Sequence, residues 1–278
     1  AYEIVEGNDK SRSEDAIPNL LSEALSVSFD SSIGHDYFAD YESRYDFYHK
    51  VDEKLPFDLD LFNKITNGGL SRKTLNVIMA GPKVGKSMLM CHVAASTLLL
   101  GKNVLYITME MAEERIAERI DANLLDVNLS SIRNLDKEQF SSKMTRLINK
   151  TKGQLIIKEY PTSGAHAGHF KALLQDLKSK KKFVPDLIVV DYLNICSSSR
   201  VKLSAGANSY SYVKSIAEEL RGLAVEFNVP ILSATQVNRA GVGNTDVDMT
   251  NTSESMGLPM TVDIMLAMIS TDELEELG

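Results

Sequence analysis

The 278-residue chain lacks the features that mark a membrane or a secreted protein. Its longest apolar stretch, Met88 to Leu100, is interrupted by polar residues and is shorter than the roughly 20 residues that a membrane-spanning helix needs. The first 15 residues carry several charges and lack the apolar core of a secretory signal. The sequence therefore predicts no membrane partner and a location in the cytoplasm, or in the host cytoplasm if the source is viral.

The chain also has few cysteines and no excess of positive charge. Only Cys91 and Cys196 are present, both within apolar runs, which indicates free thiols in a reducing compartment. The 30 basic residues are outnumbered by 38 acidic ones, giving a formal net charge of −8. Since phosphate binding depends on Lys and Arg, any contact with nucleic acid must be local. The basic run at residues 178–182 is interpreted as a solvated loop.

The chain does contain, from residue 55 onwards, an alternation of apolar runs with helix-like stretches. Such alternation is typical of βαβ units and predicts an α/β fold with a mostly parallel sheet that is flanked by helices. The predicted strands are 75–80, 103–109, 155–158, 186–190, 229–234 and 262–268, and the predicted helices are 86–100, 112–125, 137–150, 167–180 and 209–227.

Three segments are predicted: a polar tail over 1–14, a helix and aromatic-rich connector over 15–50, and the main domain over 51–278. Apolar residues recur at helical spacing between Pro18 and Leu25, in a helix too short to persist without a packing partner. Aromatic residues crowd residues 37–48, where they could stack nucleobases. Without a basic face, packing of this connector against the main domain is favoured.

The most specific local signal follows the first predicted strand and opens the first predicted helix. It reads AGPKVGKS over residues 80–87, a phosphate-binding loop with Ala in place of its first Gly. Backbone N–H groups of such a loop form an anion cradle, the lysine reaches the β- and γ-phosphates, and the serine ligates Mg²⁺. The loop therefore predicts binding of ATP with Mg²⁺. The predicted nucleotide-binding residues are Gly81, Pro82, Lys83, Val84, Gly85, Lys86, Ser87 and Met88.

Three further polar residues lie just after predicted strands. Asp191 suits a second metal ligand beside Ser87, although it could merely cap a loop. Glu110 could orient or deprotonate the attacking water, or be the first acidic residue of a helix. Gln236 could hydrogen-bond the γ-phosphate or the water, or only a loop. Because the carboxyl ends of parallel strands share one edge, Lys86, Glu110 and Gln236 together predict a catalytic site for ATP hydrolysis.

These residues resemble the DnaB family of hexameric replicative helicases, and within it the helicases of T-even-type bacteriophages. The resemblance covers about residues 55–270 and rests on AGPKVGKS, LYITMEM, LIVVDYL and SATQVNR. It implies a RecA-like P-loop NTPase fold with an N-terminal linker helix near Pro18. It also implies ATP sites at subunit interfaces, a hexameric ring on single-stranded DNA with 5′-to-3′ polarity, and a primase and a helicase loader as partners. In this family Glu110 corresponds to the catalytic glutamate and Gln236 to the γ-phosphate sensor.

The sequence departs from the family pattern near its end. Residues 252–257 resemble a DNA-contacting loop, but Ser253 stands where the family often has Arg. Contacts there would have to come from backbone N–H groups, from Asn238 and Arg239, or from other residues. The predicted DNA-binding residues are Asn238, Arg239, Ser253 and Glu254. Because residues 240–278 contain neither Arg nor Lys, the family's arginine finger is expected beyond Gly278, and the chain is interpreted as part of a longer protein.

The sequence thus predicts the ATP-dependent motor domain of a replicative DNA helicase. Two alternatives stay open: a strand-exchange recombinase or clock-type ATPase of the same fold, and an ATP-gated assembly or loading factor that does not unwind DNA. The net charge of −8 and the SATQVNR run favour the helicase over the recombinase.

Overall fold

A computed structural model describes residues 35–49, 53–201, 209–237 and 257–271. The chain divides into two compact units, residues 1–51 and 52–278. In the first unit, helix α1 spans Tyr41–His49 and contains no buried residue. The aromatic side chains of residues 37–48 are all exposed over at least 60% of their surface. Packing of this segment against the main domain stays a prediction, and the predicted helix near Pro18 lies outside the described residues.

The second unit is built on a six-stranded, all-parallel sheet, which confirms the predicted fold class. Its strands are β1 Leu75–Ala80, β2 Val104–Thr108, β3 Leu155–Glu159, β4 Leu187–Asp191, β5 Ile231–Gln236 and β6 Ile264–Met268, in the order β3-β2-β4-β5-β1-β6. Its helices are α2 Asp60–Ile65, α3 Lys86–Leu99, α4 Glu113–Leu124, α5 Lys137–Lys150, α6 Ala167–Lys181, α7 Ser209–Phe227 and α8 Gly257–Thr261, with 3₁₀ turns at Ile132–Asn134 and Leu193–Ile195.

The inner strands are mostly apolar because helices cover the sheet on both faces. Every residue of β1, β2 and β4 is buried. Successive side chains of β2 point to opposite faces: Leu105 and Ile107 pack with α6 and α7, whereas Val104 and Tyr106 pack with α3 and α4. Both cysteines are buried free thiols, as predicted. In the described part of the chain, no helix is long and apolar enough to cross a membrane.

The segment that follows β4 is tied to α7 by a buried carboxylate. Glu219, only 7% exposed, accepts hydrogen bonds from the Ser198 hydroxyl at 2.6 Å and the Ser199 hydroxyl at 2.8 Å. The backbone N–H groups of Ser199 and Arg200 also donate to it. Burial by itself raises the pKa of Glu219, but these hydrogen bonds outweigh burial and hold the pKa below its usual value. The carboxylate therefore stabilises the fold in its charged form.

Glu219→Gln is expected to lower the free energy of unfolding by about 1.5–3 kcal/mol near neutral pH, the usual contribution of hydrogen bonds to a charged group. Since the folded-state pKa is depressed, this contribution is complete above the unfolded-state pKa of about 4.3 and is lost as pH falls through the folded-state value. Urea unfolding of both proteins at neutral and acidic pH measures the difference, which should shrink in acid. Glu226→Gln, at a half-exposed ion pair on the same helix, is the control and should change stability by less than about 0.5 kcal/mol.

Candidate nucleotide-binding site

The loop between β1 and α3 has the backbone of an anion cradle. Lys83 and Gly85 adopt left-handed conformations, with φ of 65° and 112°. At Gly85 a side chain would be strained, and its Cβ would come within 3.1 Å of the Met268 side chain. Gly85 is also the N-cap of α3, and no side chain caps the helix there. The first N–H groups of α3 are therefore left for an anion, where the helix dipole favours negative charge.

Lys86, the first residue of α3, lies at this loop and is 9% exposed. Its Nζ donates a hydrogen bond to the Gly81 carbonyl oxygen at 3.0 Å. Burial lowers the pKa of Lys86, while the negative charges of Glu110 and Asp191 oppose that effect. The ammonium group therefore lies at the phosphate loop, and the charges of two carboxylates favour its protonated form.

Asp191 and Ser87 come together beside the loop. The Ser87 hydroxyl donates to Asp191 Oδ1 at 3.3 Å, and the Tyr106 hydroxyl donates to Asp191 Oδ2 at 2.9 Å. Asp191 is 1% exposed, and this burial raises its pKa, against the two hydrogen bonds, which lower it. The carboxylate therefore has a fixed donor at each of its oxygen atoms.

A hydroxyl and one carboxylate are hard oxygen ligands that fit Mg²⁺. Within the described ranges, no group of three or more His, Cys, Asp or Glu side chains could hold a metal ion by itself. Mg²⁺ in phosphoryl-transfer sites commonly uses one or two carboxylates, substrate phosphates and water rather than an all-protein cage. Ser87 and Asp191 therefore fit the protein's share of such a site.

Glu110 follows β2, as the sequence predicted, although β2 ends at Thr108 and not at residue 109. The strand ends at Thr108, because the Thr108 hydroxyl accepts a hydrogen bond from the Met111 N–H and donates one to the Met111 carbonyl oxygen. In the same turn the Met109 N–H donates to the Asp191 carbonyl oxygen at 2.9 Å. Glu110 is thus the exposed tip of a turn that is fixed on both sides. The negative charge of Glu110 raises the pKa of both Lys86 and Asp191.

Gln236 is the last residue of β5 and is paired in register with Ala80, directly before the phosphate loop. Its side-chain amide donates to the Tyr192 hydroxyl at 3.2 Å. The neighbouring Thr235 hydroxyl donates to Asn194 Oδ1 at 2.8 Å. These contacts join the end of β5 to the segment that follows Asp191.

The structure therefore brings five of the predicted residues to one edge of the sheet: Lys86, Ser87, Glu110, Asp191 and Gln236. Met88 differs from them, because its side chain is 46% exposed and lines a groove of about 460 Å³ with residues of α4. A contact between Met88 and a nucleotide stays a prediction. The predicted DNA contacts Asn238, Arg239, Ser253 and Glu254 lie outside the described residues.

The sequence did not reveal the roles of Tyr106 and Cys91, which are linked to Asp191 by hydrogen bonds. The Cys91 thiol donates to the Tyr106 hydroxyl at 3.8 Å, and burial raises the pKa of that thiol to about 11, so it remains a donor at neutral pH. The signal that could have indicated this contact is the tyrosine within a mostly apolar strand. A tyrosine at the centre of a fully buried strand needs a hydrogen-bond partner for its hydroxyl.

A parallel sheet with a glycine-containing loop of phosphate-loop sequence after β1 and a buried carboxylate at the end of β4 is the arrangement of a RecA-like P-loop ATPase domain. More particularly, the chain belongs to the family of the DnaB-like helicase C terminal domain, whose model matches residues 55–270. This family membership confirms the resemblance seen in the sequence.

Individual relatives agree with this assignment. The chain is 51% identical over 270 residues to the DnaB-like replicative helicase of Enterobacteria phage T4, covering 96% of this chain and 57% of that protein. It is 26% identical over 202 residues to the replicative DNA helicase DnaB of Helicobacter pylori strain 26695, covering 71% of this chain and 40% of that protein. The chain thus spans about half the length of these relatives.

Two solved structures share the fold at 17% sequence identity. One is the structure of a DnaB-like replicative helicase and of its interactions with primase. It superposes with a TM-score of 0.72, and the match covers 100% of this chain and 65% of that one. The other, described as an ATPase domain, gives a TM-score of 0.68 and covers 88% of this chain and 87% of that one. Both have the fold expected of a DnaB-like ATPase domain.

Proposed function

We propose that this chain is the motor domain of a replicative DNA helicase, which hydrolyses ATP to move along single-stranded DNA and unwind duplex. The observation that carries the proposal is the meeting of the phosphate loop, Glu110, Asp191 and Gln236 at one edge of a DnaB-like domain. Phosphoryl transfer needs such a set: a phosphate clamp, a metal carboxylate, a group that acts on water and a group that senses the γ-phosphate.

In the proposed site, the backbone N–H groups of residues 83–88, which include the N-terminus of α3, bind the phosphates of ATP. Lys86 exchanges its hydrogen bond with the Gly81 carbonyl for the β- and γ-phosphate oxygens. Ser87 and Asp191 hold Mg²⁺. When bound, Mg²⁺ neutralises the negative charge that develops on the transferred phosphoryl group.

Glu110 then acts on the attacking water as its orienting group or general base. The turn between Thr108 and Met111 fixes the backbone on which this carboxylate is carried. Gln236 donates its amide to the γ-phosphate and lies two residues before Asn238, the first of the predicted DNA contacts Asn238 and Arg239. The end of β5 therefore connects the γ-phosphate position to the predicted DNA-contacting segment.

Single-stranded DNA, a homo-oligomeric ring of six subunits, a primase and a helicase loader are the proposed partners. With a net charge of −8, the chain suits contact with DNA through a small set of residues, for which we propose Asn238, Arg239, Ser253 and Glu254. The phosphate loop is open at Pro82 and Lys83, which are exposed, so a neighbouring subunit can complete the ATP site. Movement is proposed to run 5′ to 3′.

The test combines an ATPase assay with an unwinding assay on forked duplex DNA, using the full chain with its oligomeric state measured with and without an ATP analogue. A helicase motor should show turnover that rises with single-stranded DNA and unwinding that requires hydrolysable ATP. Strand exchange without unwinding would indicate the recombinase. ATP-dependent assembly without unwinding would indicate the loading factor, and either result would contradict the proposal.

A further inference from the structure

Tyr106 is the middle residue of β2 and is 0% exposed. A phenol hydroxyl in such a position is costly to bury unless it is paired. A phenylalanine would fill nearly the same volume without that cost. The Tyr106 hydroxyl donates a hydrogen bond to the Asp191 carboxylate at 2.9 Å. The role of the hydroxyl therefore depends on this contact.

The contact belongs to a chain of hydrogen bonds that spans three elements. Tyr106 on β2 donates to Asp191 Oδ2 on β4, and Ser87 on α3 donates to Oδ1 of the same carboxylate. Cys91, one turn after Ser87 on α3, donates its thiol to the Tyr106 hydroxyl at 3.8 Å. The phenol hydrogen is thereby directed to Asp191, because the phenol oxygen accepts from the thiol. Each carboxylate oxygen has a separate donor, and only Oδ1 adjoins Ser87.

We propose that Tyr106 is the positioning residue for the metal ligation of Asp191, holding Oδ2 so that Oδ1 stays directed to the metal position beside Ser87. The inference rests on the proposed function, in which Ser87 and Asp191 hold Mg²⁺. A carboxylate with one donor can rotate about its side-chain bonds, whereas a donor on each oxygen fixes its plane. Partners of metal ligands act in this way, and their loss commonly costs about ten- to a hundredfold in metal affinity.

The experiment measures Mn²⁺ binding to the complex of the full chain with a non-hydrolysable ATP analogue, by electron paramagnetic resonance. Tyr106→Phe should raise the Mn²⁺ dissociation constant roughly tenfold, the lower end of what such a loss costs. Affinity for the analogue in EDTA should stay at the wild-type value, since the phosphate loop is unchanged. Tyr160→Phe, at a partly buried tyrosine that follows β3, is the matched control and should leave the Mn²⁺ constant unchanged.

A double-mutant cycle with Asp191→Asn separates positioning from packing. Once the carboxylate is gone, Tyr106→Phe should weaken Mn²⁺ binding by less than about twofold. An equal loss of about tenfold in both backgrounds would overturn the inference, as would a Tyr106→Phe protein with wild-type Mn²⁺ affinity. If Asp191→Asn itself bound Mn²⁺ normally, the proposed metal site would fail first, and this inference with it.

A second substitution keeps the test valid if Tyr106→Phe does not fold. Tyr106→Met fills an irregular apolar space with a flexible side chain and also removes the hydroxyl. It should show the same roughly tenfold loss of Mn²⁺ affinity, with analogue binding in EDTA retained. Wild-type Mn²⁺ affinity in a folded Tyr106→Met protein would overturn the inference equally.

Discussion

Replacement of Lys86 by alanine is expected to lower ATP turnover by about a hundredfold or more and to weaken ATP binding. Loss of one fixed donor to the charge of a transition state commonly costs about a hundred- to a thousandfold in rate. The Lys86 ammonium lies at the loop mouth, where it donates a hydrogen bond to the loop's own Gly81 carbonyl. Because Lys86 belongs to neither hydrophobic cluster of the core, its removal should leave the fold intact. Steady-state ATPase assays, binding of a fluorescent ATP analogue and thermal unfolding measure the three effects.

The matched control for this prediction is Lys102→Ala. Lys102 forms an ion pair with Glu53 and precedes β2, at the sheet edge opposite the phosphate loop. Exposed pairs of this kind contribute about 0–1 kcal/mol, so turnover and ATP affinity should match the wild type. Near-normal hydrolysis by a folded Lys86→Ala protein would contradict the proposed phosphate clamp.

Glu110→Gln is expected to cut turnover by roughly a hundredfold or more while ATP affinity stays close to wild type, because general-base loss costs about 10²- to 10⁴-fold in rate. The glutamine keeps the size of the side chain and removes only its ability to accept a proton. The turn that carries residue 110 is closed by Thr108 and Met111, so the substitution should not disturb it. Single-turnover hydrolysis measured beside equilibrium ATP binding separates the two effects.

Glu114→Gln provides the control for charge alone, since Glu114 is an exposed residue in the first turn of α4. It should retain both turnover and ATP affinity. If ATP affinity collapsed together with turnover in Glu110→Gln, the carboxylate would serve the structure of the site rather than the reaction.

The strands and the ligand-binding edge were predictable because their signals are local. A strand buried on both faces must be apolar throughout, so runs such as 187–190 stand out in the sequence. The residue that ends such a strand in a parallel sheet must lie on the ligand-binding edge, which is why Asp191 and Gln236 were found. The end of β2 before Glu110 was predicted one residue too far along the chain. The strand ends at Thr108 because of a side-chain hydrogen bond to Met111, and strand propensity does not record that bond.

The sequence by itself determined that this protein has an α/β fold, a phosphate loop and a carboxylate at the carboxyl end of a buried strand, since each depends on residues that are neighbours in the chain. Only the tertiary structure decided the strand order β3-β2-β4-β5-β1-β6, which pairs Thr108 with Asp191 and Ala80 with Gln236. The partnership of Tyr106 with Asp191 joins residues 85 positions apart and was equally undetermined. Hydrophobic periodicity shows which residues are buried, but the contacts among buried residues depend on strand pairing and register, which no local pattern encodes.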